Sequence, residues 1–463
     1  MSARHRLVVA ATLLVAGCAA GPRPQPPIQA RVAPPPKWLT DPGPAGDPTV
    51  DWWRALNDPV LDALVARAVA NNGDVLVAAE RVMEAQARVR LSRAGQLPTL
   101  DAEFTGIPRE RTDSAVTGAG ITVAGYDATL GVSYDADLFG RLRNQTAASR
   151  AQLLGSKAAA QAVRIATIAS VASGYVKLRT LDAGLAIAQE TLTARQRELA
   201  MVQHQARSGY VMQIAVSEAS AEVHAVEQQV AQLQLQIRQE EDAITLLLGD
   251  PPGAVARGRG LTDLALLAPP STVPARLLRR RPDIYEAEQA VVAADRTLDS
   301  ARAAFMPDLQ IAVTGERLAT NVLPNPLWLY SFAGSVIAPL FEGGRLRATQ
   351  DVAAAQRNQA ALAYRQTALQ AFGQVEDALA GNRQLAIVER AATAAAADDA
   401  ASLQAGQHRF DQGYSSYQEV LDAERSLLAA RLTAAEARGD RLVALVQLYQ
   451  AMGGGWTAES PAR

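Results

Sequence analysis

The sequence is poor in cysteine and aromatic residues and has no excess of either charge. Its 463 residues include one cysteine, Cys18, and only 5% aromatic residues. A single thiol can neither form a disulfide within the chain nor supply the paired-cysteine spacing of a zinc site. The 45 basic residues are balanced by 47 acidic residues, whereas nucleic-acid-binding proteins usually carry a basic excess. We therefore expect no internal disulfide, no metal or other non-covalent cofactor, and no nucleic-acid partner.

Motifs of the common enzyme classes are also missing. The four histidines are scattered along the chain, and there is no Gly-x-Ser-x-Gly elbow or phosphate-binding loop. Asp135 and Asp137 are close in sequence, but they lie on the polar face of a predicted strand, where water would solvate both carboxylates. The sequence therefore predicts a protein that is not an enzyme.

Beyond the first 17 residues there is no run of 18 apolar residues, so no transmembrane helix is predicted for the mature chain. Basic residues precede a short apolar stretch at 7–16, as in a signal peptide. Ala16 and Gly17 then precede Cys18, which resembles a bacterial lipobox, where a peptidase cuts before a cysteine that becomes lipidated. The alternative is an ordinary secretory signal with a chance cysteine. Ala19, where an aspartate would favour the inner membrane, favours the outer membrane.

Two segments in each half of the chain alternate between apolar and polar residues, which is typical of strands with one apolar face. These strands are predicted at about 99–106, 125–138, 308–315 and 327–340. Their apolar faces carry the aromatic residues Tyr126, Tyr134, Trp328, Tyr330 and Phe332. Strands of outer-membrane proteins carry aromatic residues where the lipid tails meet the headgroups.

Most of the remaining sequence predicts long helices. Apolar residues recur at three- and four-residue steps in four stretches. These run from about 140 to 207, from after a break at 208–210 to about 248, from about 345 to 408, and from 416 to 452. The first of these helices would be on the order of 100 Å long. Because the steps average about 3.5 residues, they favour coiled-coil packing between helices and not a ligand site.

Several motifs occur twice, in the same order, a little over 200 residues apart, which indicates an internal duplication. Leu97-Pro98 matches Met306-Pro307, Leu138-Phe139-Gly140 matches Leu340-Phe341-Glu342-Gly343, and Ser208-Gly209-Tyr210 matches Gln412-Gly413-Tyr414. The predicted domains are a signal peptide (1–17), a lipid-anchored Pro-rich tether (18–50), a first repeat (51–250), a linker (251–275), a second repeat (276–456) and a C-terminal tail (457–463).

Four amphipathic strands are too few to close a barrel, because about eight are needed to enclose even side chains. An open sheet edge is costly in lipid, where its backbone groups find no partners. If these strands cross a membrane, identical chains must share the barrel, most simply in a ring. Two chains would give eight strands and a filled interior, and three would give twelve strands and a lumen.

Six motifs in order resemble those of the outer membrane efflux proteins, the TolC-like outer membrane factors, in their lipoprotein (OprM/NodT-type) branch. They lie at 137–143, 277–288, 339–345, 372–379, 421–425 and 448–456. The resemblance covers the chain from Cys18 to about Trp456. It implies a mainly α fold with a membrane β-barrel portion, in which a trimer forms a twelve-stranded barrel continued by a long periplasmic helical barrel.

The resemblance also implies a function and partners. The chain would be an outer-membrane channel subunit of a tripartite efflux system, lipid-anchored and extending into the periplasm. A homotrimer would work with a periplasmic adaptor and an inner-membrane transporter, usually of the resistance-nodulation-division type, to pass drugs or other toxic small molecules. The alternatives are an exit duct for type I protein secretion and, in another class, a coiled-coil lipoprotein that does not span the membrane.

Two groups of site residues follow from the resemblance. Asp422, Arg425 and Gln418 would form a periplasmic gate, and Asp422 and Arg425 are spaced to share one helix face. The alternative for this pair is an exposed contact worth less than about 1 kcal/mol. Glu218 occupies the equivalent turn of the first repeat. The helix breaks would be adaptor-docking tips, although a turn glycine with positive φ would explain them equally; these tips comprise Gly209, Tyr210, Gly413 and Tyr414.

Overall fold

A computed structural model describes residues 22–41, 46–113, 120–270 and 272–458. Cys18 and the predicted signal peptide lie outside these ranges. The elements in chain order are α1 (Pro59–Asn71), α2 (Gly73–Ala94), β1 (Thr99–Asp113), β2 (Gly120–Ala136), α3 (Arg141–Arg207), α4 (Gln213–Leu247), α5 (Pro274–Arg280), α6 (Pro282–Ala303), β3 (Asp308–Thr320), β4 (Leu327–Ile337), α7 (Arg345–Asp411) and α8 (Tyr417–Ala451). None of the helices in these ranges combines the length and apolar character needed to span a bilayer.

The helices of the two halves match in length. Helices α2 and α6 each have 22 residues, α3 and α7 each have 67 residues, and α4 and α8 each have 35 residues. A 67-residue helix is about 100 Å long at 1.5 Å per residue. The predicted duplication, with two strands and a long broken helix in each half, is therefore confirmed, and a 22-residue helix precedes the strands in each half.

The four strands form one antiparallel sheet in the order β1-β2-β3-β4. Pairing of Gly125–Ala136 with Leu309–Thr320 joins the two hairpins. Strand β1 continues well beyond the predicted end at about residue 106, because a bulge between Ile107 and Glu110 absorbs the break in alternation. Pro108 lies in this bulge, where an edge strand tolerates a residue without an N–H. Strand β4 ends at Ile337, earlier than predicted, because Pro339 cannot continue the ladder.

The chain forms two compact units, and each contains segments from both repeats. The sheet unit comprises the described residues up to Arg31 together with those of Arg81–Lys157 and Glu286–Gln366. The helical unit comprises the described residues of Val32–Glu80, Ala158–Tyr285 and Thr367–Arg463.

The core of the helical unit is built around large buried side chains. Trp52 stacks on Tyr449 with ring centroids 5.2 Å apart, and Leu61, Ile244 and Leu442 are fully buried beside them. This core brings segments from both repeats together, so neither repeat can complete it alone.

A buried carboxylate ties the linker to this core. Asp58 accepts hydrogen bonds from the Tyr175 hydroxyl at 2.7 Å and from the Arg259 backbone N–H at 2.8 Å. It also caps α1 by accepting from Val60 N–H at 2.9 Å. Burial, helped by the hydrogen bond to Asp58, raises the pKa of Tyr175 to about 12. A Cβ atom on Gly258 would lie 2.1 Å from an Asp58 oxygen, so this close approach requires glycine.

Residues 32–41 of the Pro-rich segment are held against the helical unit. The Trp38 indole N–H donates to the Thr272 carbonyl at 2.5 Å, and its ring meets the edge of Phe372. The Glu376 carboxylate accepts from the Leu39 backbone N–H at 2.6 Å. The segment contains neither helix nor strand, and these contacts fix its course.

Candidate gate, helix tips and apolar sheet face

Arg425 is held by carboxylates from two different helices. Its guanidinium donates to Asp422, on the same helix α8, at 2.9 Å. It also donates twice to Glu222 of α4, at 3.0 and 2.5 Å. The Gln418 amide donates to Asp422 at 3.2 Å. The three predicted gate residues therefore form one hydrogen-bonded group, and Glu222 links that group to α4.

The members of this gate group differ in exposure. The Asp422 and Arg425 side chains are 60% and 49% exposed, whereas that of Glu222 is 11% exposed. The hydrogen bond from Arg425 lowers the pKa of Glu222. Glu222 is therefore ionised at neutral pH, and its bond to Arg425 is the best-shielded contact of the group.

A second arginine lies behind the gate group. Arg195 of α3, with a side chain only 3% exposed, bonds Glu424 of α8 and lies 3.2 Å from Glu198 and 3.8 Å from Glu222. Burial raises the pKa of Glu424, although Arg195 opposes the shift. Glu222 thus lies between two arginines, and the charged cluster connects α3, α4 and α8.

The sequence pointed to Glu218 in α4, but the structure places Glu222 against Arg425. Glu218 is exposed on α4, at the position that matches Asp422 in the duplication. Glu222 lies one turn further along the same helix. Glu222 and Arg425 are 203 residues apart in the sequence, so no local pattern predicts their contact. The one indication in the sequence is that Glu222 is a second acidic residue, one helical turn after Glu218.

The two predicted helix tips have the same backbone conformation. Gly209 and Gly413 have φ angles of 76° and 79°. Each is followed by a tyrosine whose N–H returns to the last helical turn, from Tyr210 to Gln205 at 2.9 Å and from Tyr414 to Arg409 at 2.8 Å. These are Schellman caps, in which glycine supplies the left-handed residue.

Both tips expose their tyrosines. The Tyr210 and Tyr414 side chains are 84% and 74% exposed, and Met212 is exposed beside Tyr210. Exposed aromatic side chains on rigid turns can pack against a partner with little loss of conformational entropy. The geometry is therefore suited to docking, and the docking role itself remains a prediction.

The strand register places all five predicted interface aromatics on one face of the sheet. Their cross-strand partners are the alternate β3 residues from Ile311 to Ala319, and directly opposed residues share a face. The apolar residues of this face are Leu100, Ala102, Phe104, Tyr126, Ala128, Leu130, Val132, Tyr134, Leu309, Ile311, Val313, Trp328, Tyr330, Phe332 and Val336. The opposite face carries Asp101, Glu103, Asp127, Asp135 and Glu316. The location of the aromatics at lipid headgroups remains a prediction.

The sequence predicts Phe104 on the apolar face, but it did not predict two aromatic contacts there. Phe104 stacks on Tyr126 with centroids 5.5 Å apart. The Arg317 guanidinium lies over the Trp328 ring, 5.4 Å from its centroid. Arg317 occupies an apolar-face position of β3 but is charged. The alternation of apolar and polar residues therefore did not show which face of the sheet it lies on.

Comparison with known proteins identifies the family. The sequence matches the family described as "Outer membrane efflux protein" over residues 64–250 and 273–454. The chain belongs to the outer membrane efflux protein family. The match is in two segments, which agrees with the duplicated helices of this efflux protein.

Relatives of this outer membrane efflux protein match over most of their length. The chain is 33% identical over 413 residues to the cation efflux system protein CusC of Escherichia coli O6:H1, covering 88% of each. It is 33% identical over 407 residues to the toluene efflux pump outer membrane protein TtgI of Pseudomonas putida, covering 87% of each. A crystal structure of CusC matches with a TM-score of 0.82 at 31% identity, covering 94% of this chain and 99% of that chain.

These findings confirm the fold class, the outer-membrane location and the efflux-channel role predicted from the sequence. Within the described part of this efflux protein, no group of His, Cys, Asp or Glu side chains could hold a metal ion.

Proposed function

We propose that three copies of this chain form a passive exit duct for toxic small molecules across the outer membrane. The observation that carries the proposal is the sheet. Strands β1 and β4 each have one edge without a partner strand in the described ranges, yet one face of the sheet is apolar. In lipid, unpaired backbone groups are too costly to leave open. Neighbouring chains would supply the missing partners by pairing β4 of one chain with β1 of the next.

The polar face of the sheet supports three chains over two. It carries carboxylates from three of the four strands, including Asp101, Asp127 and Glu316. An eight-stranded barrel has an interior filled by side chains, where unpaired carboxylates would be strongly unfavourable. A twelve-stranded barrel leaves a lumen in which water can solvate them.

The charged cluster supports a gate in the helical part of the duct. Arg425 ties α8 to α4 through Glu222, so breaking this bond removes the direct ionic contact between the two helices. In a threefold ring the exposed Asp422 would be presented three times around the axis. The ring of carboxylates would attract cations and, together with the Arg425 bonds, narrow the passage.

The helix tips and the N-terminus support the remaining assignments. The exposed Tyr210 and Tyr414 turns are proposed to bind a periplasmic adaptor, which connects the duct to an inner-membrane pump.

Cys18 is proposed to carry a covalent lipid. Replacement by Cys18→Ser should abolish incorporation of labelled palmitate, and persistent labelling of that variant would contradict the anchor.

The class of cargo is broader than any one relative suggests. Relatives of equal identity, 33%, are named for cation efflux and for toluene efflux. Overall similarity therefore does not select a cargo. We assign the chain to small toxic molecules as a class, with the energy supplied by the pump and none by the duct.

Conductance in planar lipid bilayers tests the duct and the gate together. The wild-type protein should form channels of low conductance, and Asp422→Ala with Arg425→Ala should raise the conductance because the direct ionic contact between α8 and α4 is lost. The matched control is Arg88→Ala with Glu84→Ala, which removes an exposed ion pair within α2. Equal conductance in gate and wild-type proteins would contradict the gate, and failure of every variant to form channels would contradict the duct.

A further inference from the structure

Arg317 is the one charged residue on the apolar face over the paired positions Leu100–Gly106, Tyr126–Ala136, Leu309–Ala319 and Trp328–Val336. Its Nε atom is buried without a hydrogen-bond partner. It forms no ion pair with any carboxylate in the described part of the chain. A guanidinium held on a lipid-facing surface without a counter-charge is unfavourable unless an anion joins it.

The neighbours of Arg317 on this face are small or aromatic, and the Tyr330 ring lies over Gly315. Small residues surround it on the same face, namely Gly315 and Ala319 along β3 and Ala128 opposite it on β2. Two stacked aromatic pairs flank these small residues, Phe104 with Tyr126 and Trp328 with Tyr330. Stacking on Trp328 fixes the plane of the guanidinium. The Arg317 guanidinium therefore lies among small side chains and aromatic rings, and it forms no hydrogen bond within the described part of the chain.

The position of Arg317 along the strand matches the headgroup level of one leaflet. Asp308 begins β3 where α6 ends, and Arg317 lies about 30 Å further along at roughly 3.3 Å per residue. A strand tilt of about 40° reduces this distance to a height of about 23 Å, close to the roughly 25 Å apolar band of an outer-membrane barrel. Arg317 is thus at the end of the band remote from the helices, which in the proposed duct is the outer leaflet.

We propose that Arg317 and Trp328 bind the phosphate of an anionic lipid headgroup in the outer leaflet. A planar guanidinium can donate two parallel hydrogen bonds to a phosphate, and the aromatic pairs provide the apolar contact for the adjoining acyl chains and sugar. The site takes phosphorylated glycolipids in preference to neutral lipids. This inference rests on the proposed placement of the apolar face against lipid.

Native mass spectrometry of the full-length protein in neutral detergent tests the site, with diphosphoryl lipid A as the titrant. The wild type should retain this lipid in preference to its dephosphorylated form. Arg317→Gln should weaken retention about tenfold, the loss expected for one charge-assisted contact. Trp328→Leu should weaken it less, because the charge remains. Arg347→Gln, which removes an exposed arginine at the start of α7, is the matched control and should retain the lipid as the wild type does.

Three results would overturn the proposal: equal retention by Arg317→Gln and wild type, equal retention of phosphorylated and dephosphorylated lipid, or displacement of the lipid by millimolar inorganic phosphate, which would indicate a general anion site. Conductance of Arg317→Gln in bilayers of neutral lipid verifies that the variant folds and assembles. Normal channels without lipid preference would refute this inference alone, whereas absence of channels from wild type and variant would refute the duct itself.

Discussion

Glu222 and Glu424 lie in the same charged cluster, but their surroundings shift their pKa values in opposite directions. The Arg425 hydrogen bond lowers the pKa of Glu222, whereas burial raises that of Glu424. A lowered pKa means that the ionised form is stabilised by its contacts. The negative charge of Glu222 therefore holds the helices together. Ionisation of Glu424 contributes less to this stabilisation.

We expect Glu222→Gln to loosen the gate more than Glu424→Gln. Because Arg425 is half exposed, the lost ionic contact is worth about 1 kcal/mol, or a roughly fivefold rise in open probability. Glu424→Gln removes a charge that burial already disfavours, so its effect should be small. Single-channel open probability at pH 7 measures both variants, and a larger leak from Glu424→Gln would contradict this ranking.

The contact between Glu222 and Arg425 also sets the pH at which the wild-type gate loosens. Since the pKa of Glu222 is lowered in the folded protein, its bond to Arg425 is fully present above the ordinary glutamate value of about 4.3 and is lost only as pH falls through the lower folded value. Leak should therefore stay constant from pH 7 to about 4.5 and rise below that. A rise that begins well above pH 4.5 would instead implicate Glu424.

At this scale the sequence predicted only part of the site. Asp422, Arg425 and Gln418 are neighbours on one helix, and helical periodicity alone places them together. Arg195 pairs with Glu424 across 229 residues, and no local pattern encodes such a contact. The duplication pointed to Glu218, but the two halves differ here, since the partner of Arg425 lies one turn beyond the duplicate position.

The elements themselves were largely readable, because long periodic helices and alternating strands leave strong local signals. The helix breaks at Gly209 and Gly413 were visible as motifs, and the structure explains both as left-handed helix caps. Strand ends were less accurate. Strand β1 was cut short in the prediction because Pro108 and the adjacent bulge interrupt its alternation, whereas pairing with β2 carries it further.

The two helix tips at Gly209 and Gly413 each expose a tyrosine next to the same type of helix cap. We expect Tyr210→Ser with Tyr414→Ser to weaken binding of the cognate adaptor at least tenfold, because exposed aromatics are frequent anchors of protein interfaces. Phe341→Ser is the matched control, since this aromatic is 90% exposed in the connection between β4 and α7 and not at a tip. Binding of immobilised adaptor measures the loss. Equal weakening by Phe341→Ser, with normal conductance in both variants, would argue against docking at the tips.

At the scale of the whole molecule, the unpaired edges of β1 and β4 determine how the chains must assemble. Within one chain, β1 and β4 are separated by three inter-strand spacings, about 14 Å, and a disulfide cannot bridge Cα atoms more than about 7 Å apart. A cysteine in β1 combined with one in β4 can therefore react only between neighbouring chains. A cysteine in β2 cannot do so, because both of its edges are filled within the chain.

We accordingly expect Glu103→Cys, combined in turn with single cysteines from Leu329 to Ser335, to give disulfide-linked chains for at least one register. Non-reducing gels should show a ladder that ends at three chains, because a closed ring of three has no further free edge. Thr129→Cys with the same β4 series is the control and should remain monomeric on the gel. A ladder ending at two chains would indicate a filled eight-stranded barrel and exclude a lumen. Ladders beyond three would show that the edges pair without closing, which lipid does not permit.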